Sequence, residues 1–307
     1  MNFLILTPDG VGSTILQRLI TITLHLEKQP VINTHELLNG IELKDNIATK
    51  NFALKYSQSL DEIKRILQKS DQQTALVSRL AKYHIDNRKD NAEKIKTFFN
   101  FLDQKFENKI MCVRENIFEY AMSWSIRQRS GLLNVYNKAE IVKVAGVSEV
   151  DEEYFMGKCH EYVKYINWME QHFPDIKKVS YEDMVKNTDF VLQKLTGYNN
   201  TFTNAFGIDL SEILSHEYDF LRHRTKTTFS NSVYKALAKY RMLVNKMIDS
   251  KKIVLGVPLK NTTLADKRNQ IKNFDSCLDK FYKFAKNHNW IDQSKATYDF
   301  WNEQHIC

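Results

Sequence analysis

Apolar residues along the chain alternate between short unbroken runs and longer stripes at helical spacing. Phe3-Leu4-Ile5-Leu6 is an unbroken run closed by a Pro/Gly turn, the signature of a buried strand. Ser13 to Leu26 carries Leu16, Leu19, Ile20 and Leu24 on one helical face. Val31-Ile32 reads as a second short strand, followed by a turn at Asn33–His35. Leu60, Ile63, Ile66 and Leu67 mark a helix, and Thr74–Leu80 either a strand or a helix start. Ile95, Phe98, Phe99, Leu102 and Phe106 form a further helical stripe. Lys109–Val113 is a third strand, with Asn116–Arg129 as the helix behind it. Glu152–His172 is a long helix with Phe155, Cys159, Tyr162, Val163, Ile166 and Met169 on one side, stopped by Pro174. Ile176–Tyr181 is another strand and Asp189–Leu195 a short helix. Beyond about Leu221 only helical stripes remain, over Val233–Ile248 and Leu264–Lys286.

Strands alternating with helices predict an α/β fold, a mostly parallel sheet with helices in three layers. The organisation expected is an α/β core over 1–221 and an α-helical C-terminal extension over 222–307. No repeat period is visible, and only 4 prolines and 9 glycines occur, so no Pro/Gly-rich linker divides the chain. At 307 residues, with 43% hydrophobic and 12% aromatic residues, the chain can bury a large core and falls outside the disordered class.

Charge changes the picture at the C-terminal end. The net charge is +7, and 15 Lys/Arg stand against 4 Asp/Glu between Arg222 and Lys283. Such a basic segment suits an acidic partner such as a nucleotide, or it merely solvates exposed helices. Cys112, Cys159, Cys277 and Cys307 are scattered without a C-x-x-C, so neither a metal site nor a disulfide framework is expected, and a reducing compartment is. The first residues lack a basic region ahead of the apolar run, which reads as a strand rather than a signal peptide. No other stretch is long and apolar enough for a bilayer, and a cytoplasmic protein with no membrane partner is expected.

The strongest local chemistry lies in Thr7-Pro8-Asp9-Gly10-Val11-Gly12-Ser13-Thr14, between a strand and an amphipathic helix. Gly10 and Gly12 let successive backbone N–H groups turn into one concavity. The helix behind adds its positive dipole end, and Ser13 and Thr14 add hydroxyls. This combination suits a phosphate. It lacks the lysine of a Walker A loop and the third glycine of a dinucleotide fingerprint, where Ile15 stands. The plain alternative is a tight strand-to-helix turn with Ser13 as N-cap.

The loop resembles that of sulfotransferases using 3′-phosphoadenosine 5′-phosphosulfate (PAPS). That family has a strand, a Pro-x-x-Gly-Thr/Ser-Thr type loop and a helix, and the loop cradles the donor's 5′-phosphate. Pro8 and Gly12-Ser13-Thr14-Ile15-Leu16 are similar, with one extra residue between Pro and Gly. Gly10 stands where the family usually has Lys or Arg. A second similarity is Arg114 at a strand end with Ser123 about two helical turns later, which the resemblance assigns to the 3′-phosphate. An arginine fork plus a hydroxyl binds a phosphate well; alternatively Arg114 pairs with Glu115 or Glu119 and Ser123 faces solvent. A third is the strand ending in Tyr181-Glu182-Asp183, which many sulfotransferases carry and which reads as fold support. The three occur in the family's order across residues 3–185.

Sulfuryl transfer needs a base for the acceptor. The family places it in the loop after the next strand, where Asn33-Thr34-His35-Glu36 stands, and His35 and Glu36 are the candidates. The alternative is that Thr34 caps a short helix with Glu36 in its first turn. Arg79, Lys82, Tyr83, His84 and Arg88 form a basic and aromatic edge that could meet an acidic acceptor, with ordinary surface the favoured expectation. Arg224 and Lys226 are candidates for a segment closing over the 3′-phosphate, although the family's Arg-Lys-Gly pattern is absent. Trp124, Trp168, Trp290 and Trp301 read as core.

The resemblance implies a sulfotransferase-like protein, a divergent member, that takes PAPS as donor, needs no metal, and transfers to an unidentified hydroxyl or amine acceptor. Its partners would be an anionic nucleotide rather than nucleic acid. The alternative is an inactive protein of the same fold serving in assembly with a protein partner. The Asn-, Lys- and Ile-rich composition fits an AT-rich genome such as that of a phage or marine bacterium, which places the chain in a host cytoplasm or a virion.

Overall fold

The computed structural model describes residues 1–38, 42–43, 52–53, 59–69, 73–86, 88–132, 138–199, 203, 210 and 264–288. These contain an α/β arrangement with a five-stranded, all-parallel sheet and 11 helices. The sheet strands are β1 (Phe3–Thr7), β2 (Val31–Glu36), β5 (Ala75–Ala81), β6 (Asn108–Val113) and β7 (Lys177–Ser180), in spatial order β2-β5-β1-β6-β7. The two-residue strands β3 (Glu42–Leu43) and β4 (Phe52–Ala53) pair separately and antiparallel. Every residue of β1 and β5 is buried, as strands of a parallel sheet covered on both faces require.

The helix α1 (Ser13–Leu26) follows β1 and is buried over nearly its whole circumference. Its polar side chains are handled locally. Gln17 Nε2 donates to the Val77 carbonyl of β5 at 3.2 Å, and Thr21 and Thr23 donate to carbonyls one turn back. Further helices are α2 (Leu60–Gln68), α3 (Lys82–Asp86), α4 (Ala92–Lys105), α5 (Ile117–Ser130), α6 (Lys138–Ala145) and α7 (Glu152–His172). Then come α8 (Tyr181–Lys186), α9 (Thr188–Thr196), α10 (Leu264–Gln270) and α11 (Phe274–Lys286).

The chain divides into two compact units. One comprises Met1–Val113, Tyr165–Gly207 and Lys235–Leu255; the other comprises Arg114–Lys164, Ile208–Tyr234 and Gly256–Cys307. The first holds the sheet, and Phe99 packs edge-on against Trp168 and Phe173 there. In the second, Phe118 of α5 is ringed edge-on by Phe155 of α7 and by Phe274 and Phe281 of α11. Residues 264–288 thus pack into the second unit, while the expected boundary at 221, the Val233–Ile248 helix, Arg224, Lys226, Trp290 and Trp301 lie outside the described residues.

Three elements differ from expectation. Asn33–His35 is strand, because Asn33 and Thr34 find polar partners inside: Asn33 Nδ2 donates to Thr21 Oγ1 at 3.1 Å and Thr34 Oγ1 to Ser78 Oγ at 2.7 Å. The strand β7 stops at Ser180, whose hydroxyl accepts the Asp183 N–H at 3.0 Å and caps α8, so Tyr181 opens a helix. The Leu264–Lys286 stripe is two helices. Lys272 N–H leaves the helix ladder for the Ser148 carbonyl at 2.8 Å, and Asn273 makes reciprocal bonds with the Val150 backbone.

Candidate functional site

The loop after β1 is shaped by two left-handed glycines, Gly10 at φ 78° and Gly12 at φ 83°. Side chains other than glycine rarely hold that region, so both positions depend on the missing Cβ. Between them Val11 is fully buried, and its carbonyl accepts the Cys112 thiol of β6 at 3.4 Å. Gly12, not Ser13, is the N-cap residue of α1; its carbonyl accepts the N–H groups of Ile15 and Leu16 at 2.9 and 3.1 Å. Among the described residues no side chain caps this helix, and no acidic residue occupies its first turn. Gly12 also has no room for a side chain, since a Cβ there would stand 2.3 Å from Cδ2 of Tyr181. The Tyr-Glu-Asp segment therefore acts on the loop directly, through the ring of Tyr181.

The sheet places this loop at a distinctive point. β1 is the central strand, flanked by β5 and β6; the chain leaves it for the edge strand β2, returns to β5, and then crosses β1 to β6 and β7. In parallel α/β sheets, ligands bind beyond the carboxyl ends of the strands where the order reverses. The loop sits at that end of β1.

A buried cation stands at the same place. Arg79 of β5, 7% exposed, donates from Nη1 to Ser13 Oγ at 3.3 Å and also to Thr14 Oγ1. Arg79 is thus not ordinary surface. Its register partner on β1 is Ile5, and its long side chain reaches from the sheet to the first turn of α1. The rest of that expected edge is also partly inside. His84 is 3% exposed, Lys82 pairs with Asp86, and Arg88 pairs with Asp90 at 2.6 Å; the Tyr83 side chain lies outside the description. Tyr165 of α7 fixes the end of β5 by accepting the Lys82 N–H at 2.7 Å. Burial pushes the Tyr165 hydroxyl well above its ordinary range, with Asp9 and Asp86 adding in the same direction.

His35 and Glu36 do not occupy a loop. They are the last residues of β2, opposite Ser78 and Arg79 of β5, beyond a register shift between Asn33 and His35. Thr34 is a strand residue and caps no helix. Because the sheet is parallel, the end of β2 shares the loop's edge, two strands away from β1, about 10 Å across the hydrogen-bonding direction. The side chains of His35 and Glu36 lie outside the described residues.

Arg114 and Ser123 belong to the second unit and share a buried polar cluster. The Arg114 backbone is clamped by the Tyr162 hydroxyl, which accepts its N–H at 2.7 Å and donates to its carbonyl at 2.9 Å. Its guanidinium stands 3.7 Å from the Glu119 carboxylate. Lys267 of α10, 4% exposed, donates to Glu119 at 2.9 Å and to Ser123 Oγ at 2.9 Å. The local pairing of Arg114 with Glu119 is the arrangement present, and Ser123 faces Lys267 rather than solvent.

Sequence reasoning favoured the surface for Arg79, offered Glu119 only as a local partner of Arg114, and passed over Lys267 and Arg18 as site residues. The available signal was the charge itself: Arg79 and Arg18 are each the one Asp, Glu, Lys or Arg of their element, and such a residue is rarely buried without a partner. Nothing in the sequence announces the Glu119–Lys267 pair, whose members are 148 residues apart.

No family model and no curated protein sequence matches the chain. Among the described residues, no helix is long and apolar enough to cross a membrane. Among the same residues, no group of three or more His, Cys, Asp or Glu side chains is placed to hold a metal ion.

Proposed function

We propose that the chain is a sulfotransferase-like protein whose Thr7–Thr14 loop takes the 5′-phosphate of PAPS. The observation that carries this reading is the buried Arg79 guanidinium donating to the Ser13 and Thr14 hydroxyls at the start of α1. It supplies a fixed positive charge to a loop that lacks the family's basic residue at Gly10. Charge-assisted donors and a helix N-terminus together favour a phosphate over a neutral ligand. By the resemblance, the 3′-phosphate falls to Arg114 and Ser123.

In the transfer step an acceptor hydroxyl or amine attacks sulfur in line. The sulfur–oxygen bond to the donor's phosphate breaks as the new bond forms, and the leaving phosphate keeps the electron pair. The acceptor's proton passes to a base, His35 or Glu36, both at the same sheet edge as the loop.

Calorimetric titration with the donor's product, 3′-phosphoadenosine 5′-phosphate, tests the reading. Saturable binding that weakens in Arg79→Met is expected. No binding by the folded protein overturns it.

One observation favours a non-catalytic assembly protein of the same fold. Glu119 already engages Arg114 and Lys267, and Lys267 engages Ser123, so these groups have internal partners. Nucleotide binding without transfer to any hydroxyl or amine acceptor would select that reading.

A further inference from the structure

Five polar side chains are buried on α1: Ser13, Gln17, Arg18, Thr21 and Thr23. Four have partners in the fold. Ser13 accepts from Arg79, Gln17 donates to Val77, and Thr21 and Thr23 donate to carbonyls of their own helix. Arg18 is the exception. It is 3% exposed, and among the described residues its Nε and Nη1 meet no hydrogen-bond acceptor. Buried polar groups are nearly always satisfied. A guanidinium has the least freedom to be otherwise, since it keeps its charge at any working pH and has five donors. An uncompensated buried charge is among the costliest arrangements a fold can hold, and so calls for a function.

Its position says what it faces. Long helical side chains lean toward the N-terminus and lie over the residues three and four positions earlier. For Arg18 these are Ile15 and Thr14, and Thr14 is the residue whose hydroxyl receives Arg79. Thr14 is only half-buried, so this face is approachable from the loop. By that lean Arg18 is directed toward the first turn of α1, the turn whose hydroxyls Arg79 reaches.

We propose that Arg18 receives a tetrahedral oxyanion, a sulfate or phosphate group, adjacent to the one held by the loop. The inference rests on the reading that the loop binds a phosphate, and it adds that the site takes two oxyanions. They are either linked in one ligand, as in a diphosphate or phosphosulfate, or carried by two molecules. An anionic ligand is then the partner that compensates the guanidinium, and the ligand-free fold bears the cost.

That cost makes the proposal testable through stability as well as affinity. In Arg18→Met the apolar isostere removes the uncompensated charge, so the ligand-free variant should melt higher than wild type, by about 2 °C or more. Its affinity for pyrophosphate or sulfate should fall on the order of 10- to 100-fold, the range for charge-assisted hydrogen bonds. Thermal melts and calorimetry with inorganic pyrophosphate, orthophosphate and sulfate measure both. Pyrophosphate binding far tighter than orthophosphate supports linked oxyanions, and sulfate binding alongside orthophosphate supports separate ones. Arg18→Met melting lower than wild type with unchanged anion affinity overturns the inference. Should that variant fail to fold, Arg18→Lys decides, since it keeps the charge but loses the fork. Reduced anion affinity in Arg18→Lys supports the proposal, and full affinity overturns it. Product nucleotide bound equally by wild type and Arg18→Met removes Arg18 and leaves the loop reading standing. Anion affinity lost in Arg18→Met, without nucleotide binding by wild type, does the reverse.

Discussion

Replacing Gly12 by alanine would put a methyl group where the Tyr181 ring already is. The built Cβ stands 2.3 Å from Cδ2 and 2.9 Å from Cε2 of Tyr181, and 3.5 Å from Cε of Met184. Neither neighbour yields easily, because Tyr181 is 9% exposed and Met184 fully buried. The backbone adds a second cost, since φ 83° is left-handed and disfavours alanine by about 1–2 kcal/mol. Overpacking adds about 1–3 kcal/mol. Gly12→Ala should therefore destabilise by about 2–5 kcal/mol, a large part of an ordinary domain's stability. Urea denaturation followed by circular dichroism measures this, and a double-mutant cycle separates the two costs. In a Tyr181→Ala background the collision is gone, so Gly12→Ala should cost only the backbone part, with a coupling of about 1–3 kcal/mol. Equal costs in both backgrounds would show that the ring does not constrain the loop. A cost below about 1 kcal/mol in the native background would refute both contributions. Gly12 is consequently a poor probe of ligand binding: its substitutions act through Tyr181 before they reach any anion.

Lys267→Met should destabilise the protein by about 3–5 kcal/mol, because it takes the ammonium away from the buried Glu119 carboxylate. Glu119→Gln added to that variant should restore part of the loss in a chemical denaturation series. Burial pushes the Cys277 thiol up to about 12, so its thiolate appears only toward that pH. Cys159 is pushed higher still. Alkylation by iodoacetamide at mildly alkaline pH should spare both in the folded protein and reach them after denaturation; fast labelling of the folded chain would contradict their burial. If His35 is the base for transfer, His35→Asn should cut turnover roughly 10²–10⁴-fold with nucleotide affinity intact, and rate should fall as acid protonates the imidazole. If Glu36 is the base, Glu36→Gln should do so instead, and indifference to both removes the assignment.

The elements most legible in the sequence are those whose ends are fixed locally. α1 begins where two glycines end the loop, and α7 stops just before Pro174, so periodicity plus local punctuation was enough for both. What could not be read depends on distant partners. The polar run Asn33–Thr34 looks like a turn until Ser78 and Thr21 provide acceptors, and these come from another strand and a helix. The break between α10 and α11 is set by Ser148 and Val150, more than 120 residues earlier. Arg79 shows the same limit. A charge inside the apolar run that opens at Ala75 reads as a mark of the surface, whereas the sheet buries it and aims it at the hydroxyls of α1. The loop itself was legible as a strand-to-helix turn from its two glycines. Its dependence on Tyr181 was not, because a contact between residues 12 and 181 leaves no local trace.

Two buried basic clusters differ in a way that bears on function. In the second unit, Arg114 and Lys267 meet the carboxylate of Glu119, so a charge-bearing acceptor is built into the chain. Such pairs cost desolvation and contribute little net stability, yet they are demanding to break. An incoming phosphate there would have to displace Glu119, an exchange of one anion for another with little net gain. In the first unit, Arg18 meets no such group among the described residues, and the hydroxyls that Arg79 engages are neutral. An incoming anion there would meet the Arg18 guanidinium without displacing a carboxylate from it. On electrostatic grounds an anion would displace less at Arg18 than at Arg114, whose guanidinium already faces Glu119. Selectivity for a 3′-phosphate should then be weak in wild type and should rise in Glu119→Gln, where Arg114 and Lys267 lose their internal anion. Comparing 3′-phosphoadenosine 5′-phosphate with adenosine 5′-monophosphate in both proteins measures that difference. A wild-type preference that Glu119→Gln leaves unchanged would show that Glu119 does not compete with the nucleotide.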